Sequence, residues 1–147
     1  MDMNPDLKTM TILFRTVQAV EAIIKKDISK YGYTINEFSV IETLFHKGRM
    51  PVQGMCQKVL IPNSSMTYVL DKLEERSLIK RSQDHLDKRI YYVELTDSGL
   101  DHAKDILPKH YEVMRSVFDI LSVEEKAIIN DLLKKIGYHA LNVGDMQ

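Results

Sequence analysis

Asp87 and Arg89 stand two residues apart, just ahead of the β-branched and aromatic run Ile90-Tyr91-Tyr92-Val93-Glu94-Leu95. In extended chain that spacing lets both side chains share a face, where the carboxylate can hold the guanidinium outstretched. A guanidinium presented this way suits the narrow, electronegative minor groove of DNA. A second set, Asn63-Ser64-Ser65-Met66-Thr67-Tyr68, opens a helical stretch with small hydroxyl and amide groups. At a helix N-terminus such groups permit close approach, donate to phosphate and test base edges. Lys72 and Arg76 follow one and two turns later, within reach of a phosphate backbone, and Lys88 joins Arg89 as a candidate DNA contact.

Other chemistries find little support. There is no G-x-S-x-G, no Gly-rich phosphate loop and no H-E-x-x-H, and the Asp and Glu residues are scattered without a pairing for general acid–base work. An enzyme is therefore not expected. His46, His85, His102, His110 and His139 show no i, i+4 pair and no cysteine cluster, so no metal site and no cofactor are expected. The lone Cys56 sits beside Met55 and Val59 and is read as a buried structural thiol. A redox role for it stays open, although it lacks an intramolecular resolving partner.

The elements that must position these residues follow from periodicity and punctuation. Asn4-Pro5 starts a first helix whose stripe is Leu7, Met10, Phe14, Val17, Ile24, Ile28 and Tyr31, with Gly32 as its stop. Thr34 and Glu37 have capping-box spacing and open a second helix carrying Phe38, Ile41, Leu44 and Phe45 inward, to about Lys47-Gly48. After Met50-Pro51-Val52 a short helix is expected over Gln53 to Leu60, broken at Ile61-Pro62. The next helix runs from Asn63 or Ser64 through Met66, Val69, Leu70 and Leu73 to about Arg76. Ile79-Lys80-Arg81-Ser82 and Ile90 to Leu95 read as two strands joined by a polar connection. Thr96 or Ser98 caps a helix striped by Leu100, Ala103, Leu107, Tyr111, Met114, Phe118 and Leu121, which Pro108 should bend. Ser122-Val123-Glu124-Glu125 reads as another capping box before a last helix striped by Ile129, Leu132, Ile136 and Ala140. The aromatic and methionine set Phe14, Tyr31, Phe38, Phe45, Met114 and Phe118 is read chiefly as core.

The order α-α-α-α-β-β-α-α gives a mainly α fold with a small β-hairpin wing, a winged helix-turn-helix. The dimensions suit DNA: the major groove, about 12 Å wide, admits a helix, while the minor groove, about 6 Å wide, admits only a thin hairpin tip. At 147 residues with 44% apolar content the chain fits one domain with an ordinary core. The net charge of −1 hides an asymmetry: between Val52 and Val93 seven basic residues face five acidic ones, leaving +2 there and −3 elsewhere. No apolar run approaches the roughly 20 residues of a membrane span. The N-terminus lacks a signal-peptide layout and one cysteine suits a reducing compartment, so a soluble cytoplasmic protein is expected.

The segment Asp87 to Gly99, with D-x-R, a strand and then Leu95-Thr96-x-x-Gly99, resembles the MarR-family signature, and Ser65 to Glu74 resembles that family's recognition helix. The resemblance covers nearly the whole chain. It implies a single MarR-like domain over 1–147, in which 1–32 and 97–147 form dimerisation helices and 34–96 form the DNA-binding region. It implies a homodimeric regulator, typically a repressor, bound to a pseudo-palindromic operator and released by a small phenolic or quinone-like ligand, an oxidant or a metal. The roles it implies are a minor-groove wing residue for Arg89, a supporting partner for Asp87, and major-groove contacts for Ser65, Thr67 and Tyr68. Ser64 and Tyr68 depart from residues common in the family, so the operator sequence does not follow from the resemblance. A winged-helix module that binds a protein partner on the same surface is the alternative reading.

Overall fold

The computed structural model describes residues 4–59 and 63–145, with side chains from 65 onward in the second stretch. The expected break at Ile61-Pro62 and the helix end at Leu60 lie outside the described residues.

Helix α1 (Pro5–Ser29) starts where Asn4 caps it, its side chain accepting from the Asp6 amide at 2.8 Å, with Pro5 in the first turn. It stops at Gly32, whose φ of 78° only glycine adopts without strain, as the Tyr33 amide closes back on the Ile28 carbonyl at 3.3 Å. Helix α2 (Ile35–Lys47) carries the full capping box, Glu37 amide to Thr34 hydroxyl at 3.2 Å and Thr34 amide to Glu37 carboxylate at 3.0 Å. Strand β1 (Met50–Pro51) leads directly into α3 (Val52–Val59), and α4 runs Asn63–Glu75. Ser77, at φ 60°, ends that helix in the left-handed region, and the Leu78 amide returns to the Leu73 carbonyl at 3.0 Å.

Strands β2 (Ile79–Gln83) and β3 (Tyr91–Leu95) form the expected hairpin, in the antiparallel register Ile79↔Leu95 to Gln83↔Tyr91. The sheet has a third strand that the pattern did not reveal: β1 pairs with β3 as Met50↔Val93 and Pro51↔Tyr92, giving the order β1-β3-β2. Two residues are too few to display a period of two, and Pro51 fits an edge position because it lacks an amide donor. Helix α5 (Asp97–Phe118) is capped by Thr96 rather than Ser98: the Thr96 hydroxyl accepts from the Gly99 amide at 3.0 Å. The helix continues through Pro108. Before α6 (Val123–Asp145), Ser122 accepts from the Glu125 amide at 3.1 Å, the first half of the expected box.

The chain falls into two compact units, Met1–Tyr111 and Glu112–Gln147. In the first, Ile28, Phe38, Ile41, Met55, Leu70, Leu73, Ile79, Val93 and Ile106 form a common core drawn from α1, α2, α3, α4, the sheet and α5. Apolar burial of this kind is the main term holding α4 and the wing at a fixed angle. A buried polar contact supplements it, His110 Nδ1 meeting Asp27 Oδ2 at 2.8 Å with the His110 ring edge-on to Phe38. Tyr33 on α2's approach likewise hydrogen-bonds His102 of α5, and His46 meets the Tyr111 hydroxyl at 2.5 Å.

One expectation is corrected. Of the residues read chiefly as core, Phe38 is buried and Tyr31 and Phe45 pack on the core, but Phe14 and Phe118 are exposed. Leu7, Met10 and Val17 on α1, and Ile129, Leu132 and Ile136 on α6, are exposed as well. Helical periodicity marks a face that some surface must cover, and within each unit the described residues leave these open.

Candidate nucleic-acid interface

Helix α4 is short, and its inward face (Met66, Val69, Leu70, Leu73) is anchored in the core, so its other side chains have fixed directions. Ser65, Thr67 and Tyr68 are exposed on its first turns. The backbone of Asn63 and Ser64 opens the helix, while their side chains lie outside the described residues. Ser65, Tyr68 and Lys72 line one hollow of about 440 Å³ together with Thr34, Asn36 and Glu37 at the start of α2. The Lys72 ammonium lies 5.5 Å over the Tyr68 ring and 3.5 Å from Glu75, leaving its charge near the helix surface.

On the opposite flank Thr67 shares a groove of about 710 Å³ with Arg89. Its walls are Pro51, Val52 and Gln53 from the β1–α3 junction, Leu70 of α4, and Arg81, Ile90 and Tyr91 of the wing. The two motifs singled out separately in the sequence thus converge on one concavity between helix and wing. Gln53, Arg81 and Tyr91 were not singled out. Arg81 had been visible only as one more charge, because its role depends on pairing across the fold. Its Nε donates to Glu74 at 2.6 Å and a terminal nitrogen donates to Asp71 at 2.5 Å, clamping β2 to α4. Burial acts to lower the Arg81 pKa, but these two carboxylate bonds outweigh it and hold the value above the ordinary one.

The wing pair meets as expected, but in a turn and not in extended chain: Lys88 and Arg89 form a turn ahead of β3, closed by the Ile90 amide on the Asp87 carbonyl at 3.0 Å. Arg89 Nε donates to Asp87 Oδ1 at 3.1 Å, a terminal nitrogen donates to Oδ2 at 3.0 Å, and the Arg89 amide adds a third bond to Oδ1 at 3.0 Å. The hydrogen bonds from the Arg89 guanidinium and amide hold the Asp87 carboxyl below the usual carboxylate range, and the side-chain bonds to Asp87 raise Arg89. Arg89 is 90% exposed, so the carboxylate aims the guanidinium without hiding it. Lys88 is exposed beside it.

Arg76 is turned elsewhere. One of its terminal nitrogens donates to the Gly32 carbonyl at 2.9 Å and the other to the Tyr31 carbonyl at 3.4 Å, with the guanidinium 4.4 Å above the Tyr33 ring. Its donors tie the end of α4 to the α1–α2 turn. Gly99, the last residue of the L-T-x-x-G motif, is required sterically, since a Cβ there would stand 1.9 Å from the Leu78 carbonyl oxygen. That contact seats the start of α5 against the entry to the wing. Cys56 is half-buried and packs against the core. Among the described residues no group of three or more His, Cys, Asp or Glu side chains is placed to hold a metal, and no helix is long and apolar enough to cross a membrane.

Residues 33–91, the stretch holding α2, α4 and most of the wing, match the model of the MarR family. The chain is 34% identical over 134 residues to the HTH-type transcriptional regulator MhqR of Bacillus subtilis (strain 168), covering 91% of this chain and 92% of that one. Its fold superposes with a TM-score of 0.79 on BpsR of Bordetella bronchiseptica, whose DNA binding is regulated by 6-hydroxynicotinic acid; the two are 25% identical over 88% of this chain and 98% of that one. AbsC, a MarR family transcriptional regulator from Streptomyces coelicolor, shares the fold at a TM-score of 0.86 and 20% identity, over 97% of this chain and 99% of that one. MhqR and AbsC are regulators of transcription. With a relative a third identical along nearly its whole length and the wing, α4 and L-T-x-x-G geometry in place, the chain belongs to the MarR family of DNA-binding transcription regulators.

Proposed function

We propose that the chain works as a cytoplasmic homodimer that binds a pseudo-palindromic operator and represses transcription until a small aromatic effector releases it. The observation that carries this is the groove shared by Thr67 of α4 and Arg89 of the wing, with Arg89 splayed by Asp87. Its two walls match two successive features of one DNA face: a helix for the major groove and a thin hairpin for the adjacent minor groove. Ser65, Thr67 and Tyr68, with Asn63 and Ser64 at the helix start, address base edges and nearby phosphates. Lys72 and Lys88 neutralise phosphates, and Arg89 enters the minor groove. Arg76 acts through the placement of α4 instead.

Dimerisation is supported by the uncovered apolar faces. Leu7, Met10, Phe14 and Val17 on α1, and Ile129, Leu132 and Ile136 on α6, are each covered by the second copy in this reading. Two α4 helices about 34–36 Å apart then meet successive major grooves. Regulation of BpsR by 6-hydroxynicotinic acid, a hydroxypyridine acid, supports a small hydroxylated aromatic effector. Such a ligand acts only by binding the DNA-competent and DNA-incompetent dimers with different affinity.

Binding of the purified protein to the DNA beside its own gene, across a salt series and with Arg89→Ala alongside, tests the reading. A dimer should protect a two-fold site, with log K falling against log salt by about 0.9 per neutralised phosphate. Salt-insensitive or absent binding, or an unaffected Arg89→Ala variant, defeats it in favour of a protein-binding wing.

A further inference from the structure

The tip of the wing carries a leucine in the open. Leu86 is 97% exposed, more than any other large apolar residue among those described, and it stands between β2 and β3 on the side chain's full reach into solvent. The tip that holds it is tightly determined. Asp84 Oδ2 accepts from the Leu86 amide at 3.0 Å and from the Asp87 amide at 2.9 Å, and the Asp84 amide donates to the Ile90 carbonyl at 2.9 Å. Gln83 Nε2 braces the other limb by donating to the Lys88 carbonyl at 2.6 Å.

These bonds sort the tip by chemistry. The carboxylates of Asp84 and Asp87 are turned onto backbone amides and the Arg89 guanidinium. Leu86, Lys88 and Arg89 are left facing outward. The exposed side chains of the tip are therefore His85, Leu86, Lys88 and Arg89, one apolar group among basic ones. A minor groove is the complement of that surface: its rims are phosphates and its walls are the C–H faces of deoxyribose. Proteins that enter this groove do so with basic and apolar side chains together.

We propose that Leu86 is a minor-groove contact, lying against the deoxyribose walls beside Arg89 and contributing to operator affinity by apolar burial. The inference rests on the operator-binding reading above. Because a sugar contact releases no counterion, its contribution is independent of salt, unlike that of a lysine on phosphate.

The test compares wild type, Leu86→Ala, Leu86→Lys and Arg89→Ala on the duplex beside the protein's own gene, at several salt concentrations. Leu86→Ala should weaken binding about tenfold, equivalent to about 1.4 kcal/mol. The salt slope and the melting temperature should not change, because the side chain touches nothing in the free protein. Hydroxyl-radical footprints should lose sugar protection in the minor groove at the wing positions only. Leu86→Lys should bind more weakly still at high salt. Wild-type affinity in Leu86→Ala overturns the proposal. Tighter binding with a steeper slope in Leu86→Lys also overturns it, by placing the side chain on phosphate. If Arg89→Ala binds as wild type, the operator reading itself fails, whatever Leu86 does.

Discussion

The Arg76 guanidinium donates to the carbonyl of Gly32 at 2.9 Å, joining the end of α4 to a turn 44 residues earlier in the chain. The Tyr31 carbonyl and the Tyr33 ring complete the seat, and Tyr33 in turn hydrogen-bonds His102 on α5. Gly32 sits at φ 78°, so the carbonyls face Arg76 only while that turn keeps its shape. Arg76, expected from its spacing to contact phosphate, is thus tied to the α1–α2 turn, and in the proposed function it braces the helix that meets DNA.

Arg76→Ala should consequently cost about 1 kcal/mol in urea denaturation, the usual scale for a charged hydrogen bond at a partly solvated site. Operator affinity should fall with an unchanged salt slope. Arg76→Lys should not restore it, since an ammonium cannot serve two carbonyls and a ring face in one plane. A slope reduced by one phosphate equivalent would return Arg76 to the DNA backbone.

Arg89→Ala should reduce operator affinity by well over tenfold while leaving thermal unfolding unchanged, because the side chain is 90% exposed. Arg89→Lys should recover little, as the two parallel bonds to Asp87 require the planar fork. Parallel titration and melting curves on the same preparations check both halves.

The Asp87 carboxyl should titrate below the ordinary aspartate range, owing to the Arg89 guanidinium and amide that bond its charged form. A group depressed in the folded wing favours the ordered tip above its unfolded value, and that preference is lost as pH falls through the lowered one. Neutral pH lies far above this window, so DNA binding near pH 7 should not respond to Asp87. A carbon-detected NMR titration should show the midpoint rising in Arg89→Ala.

Gly99→Ala should destabilise the protein by about 3 kcal/mol, at the upper end of overpacking penalties, because the new methyl would meet backbone and not a yielding side chain. Gly54→Ala provides the control. There the nearest atom is the flexible Met50 methyl at 3.4 Å, and alanine gains up to about 1 kcal/mol of helix propensity. Chemical denaturation of both variants should therefore move in opposite directions.

Asp27→Ala should cost about 2 kcal/mol, since it strips the buried His110 of its hydrogen-bond partner in an apolar setting. Asp27→Asn keeps an acceptor and should cost less. Equal losses for the two would mean that packing, not the hydrogen bond, holds α1 to α5.

What could be read from the amino-acid sequence was local. The Asn4 cap, the Thr34–Glu37 box and the Gly32 stop came through as expected, and the Asp87–Arg89 contact did so in a turn instead of extended chain, because each involves partners within a few residues. Hydrogen bonds at helix ends and two-residue periodicity in a hairpin depend on near neighbours, so they leave marks in composition and spacing. The element order and the family signature followed from the same short-range marks.

The tertiary structure decided everything that depends on distant partners. Strand β1 exists because β3 offers it a register, not because two residues encode a strand. Phe14 and Ile28 lie on one predicted stripe, yet only Ile28 is buried, because a stripe specifies a face and not what covers it. The same holds for charge: Arg76, Arg81 and Arg89 are equivalent as letters. Folding gives one to backbone carbonyls, one to a pair of carboxylates and one to a neighbouring carboxylate that leaves it in solvent. A guanidinium takes whichever acceptors the fold brings to it: for Arg89 a carboxylate two residues away, for Arg81 two carboxylates of the preceding helix, and for Arg76 the carbonyls of a turn 44 residues away.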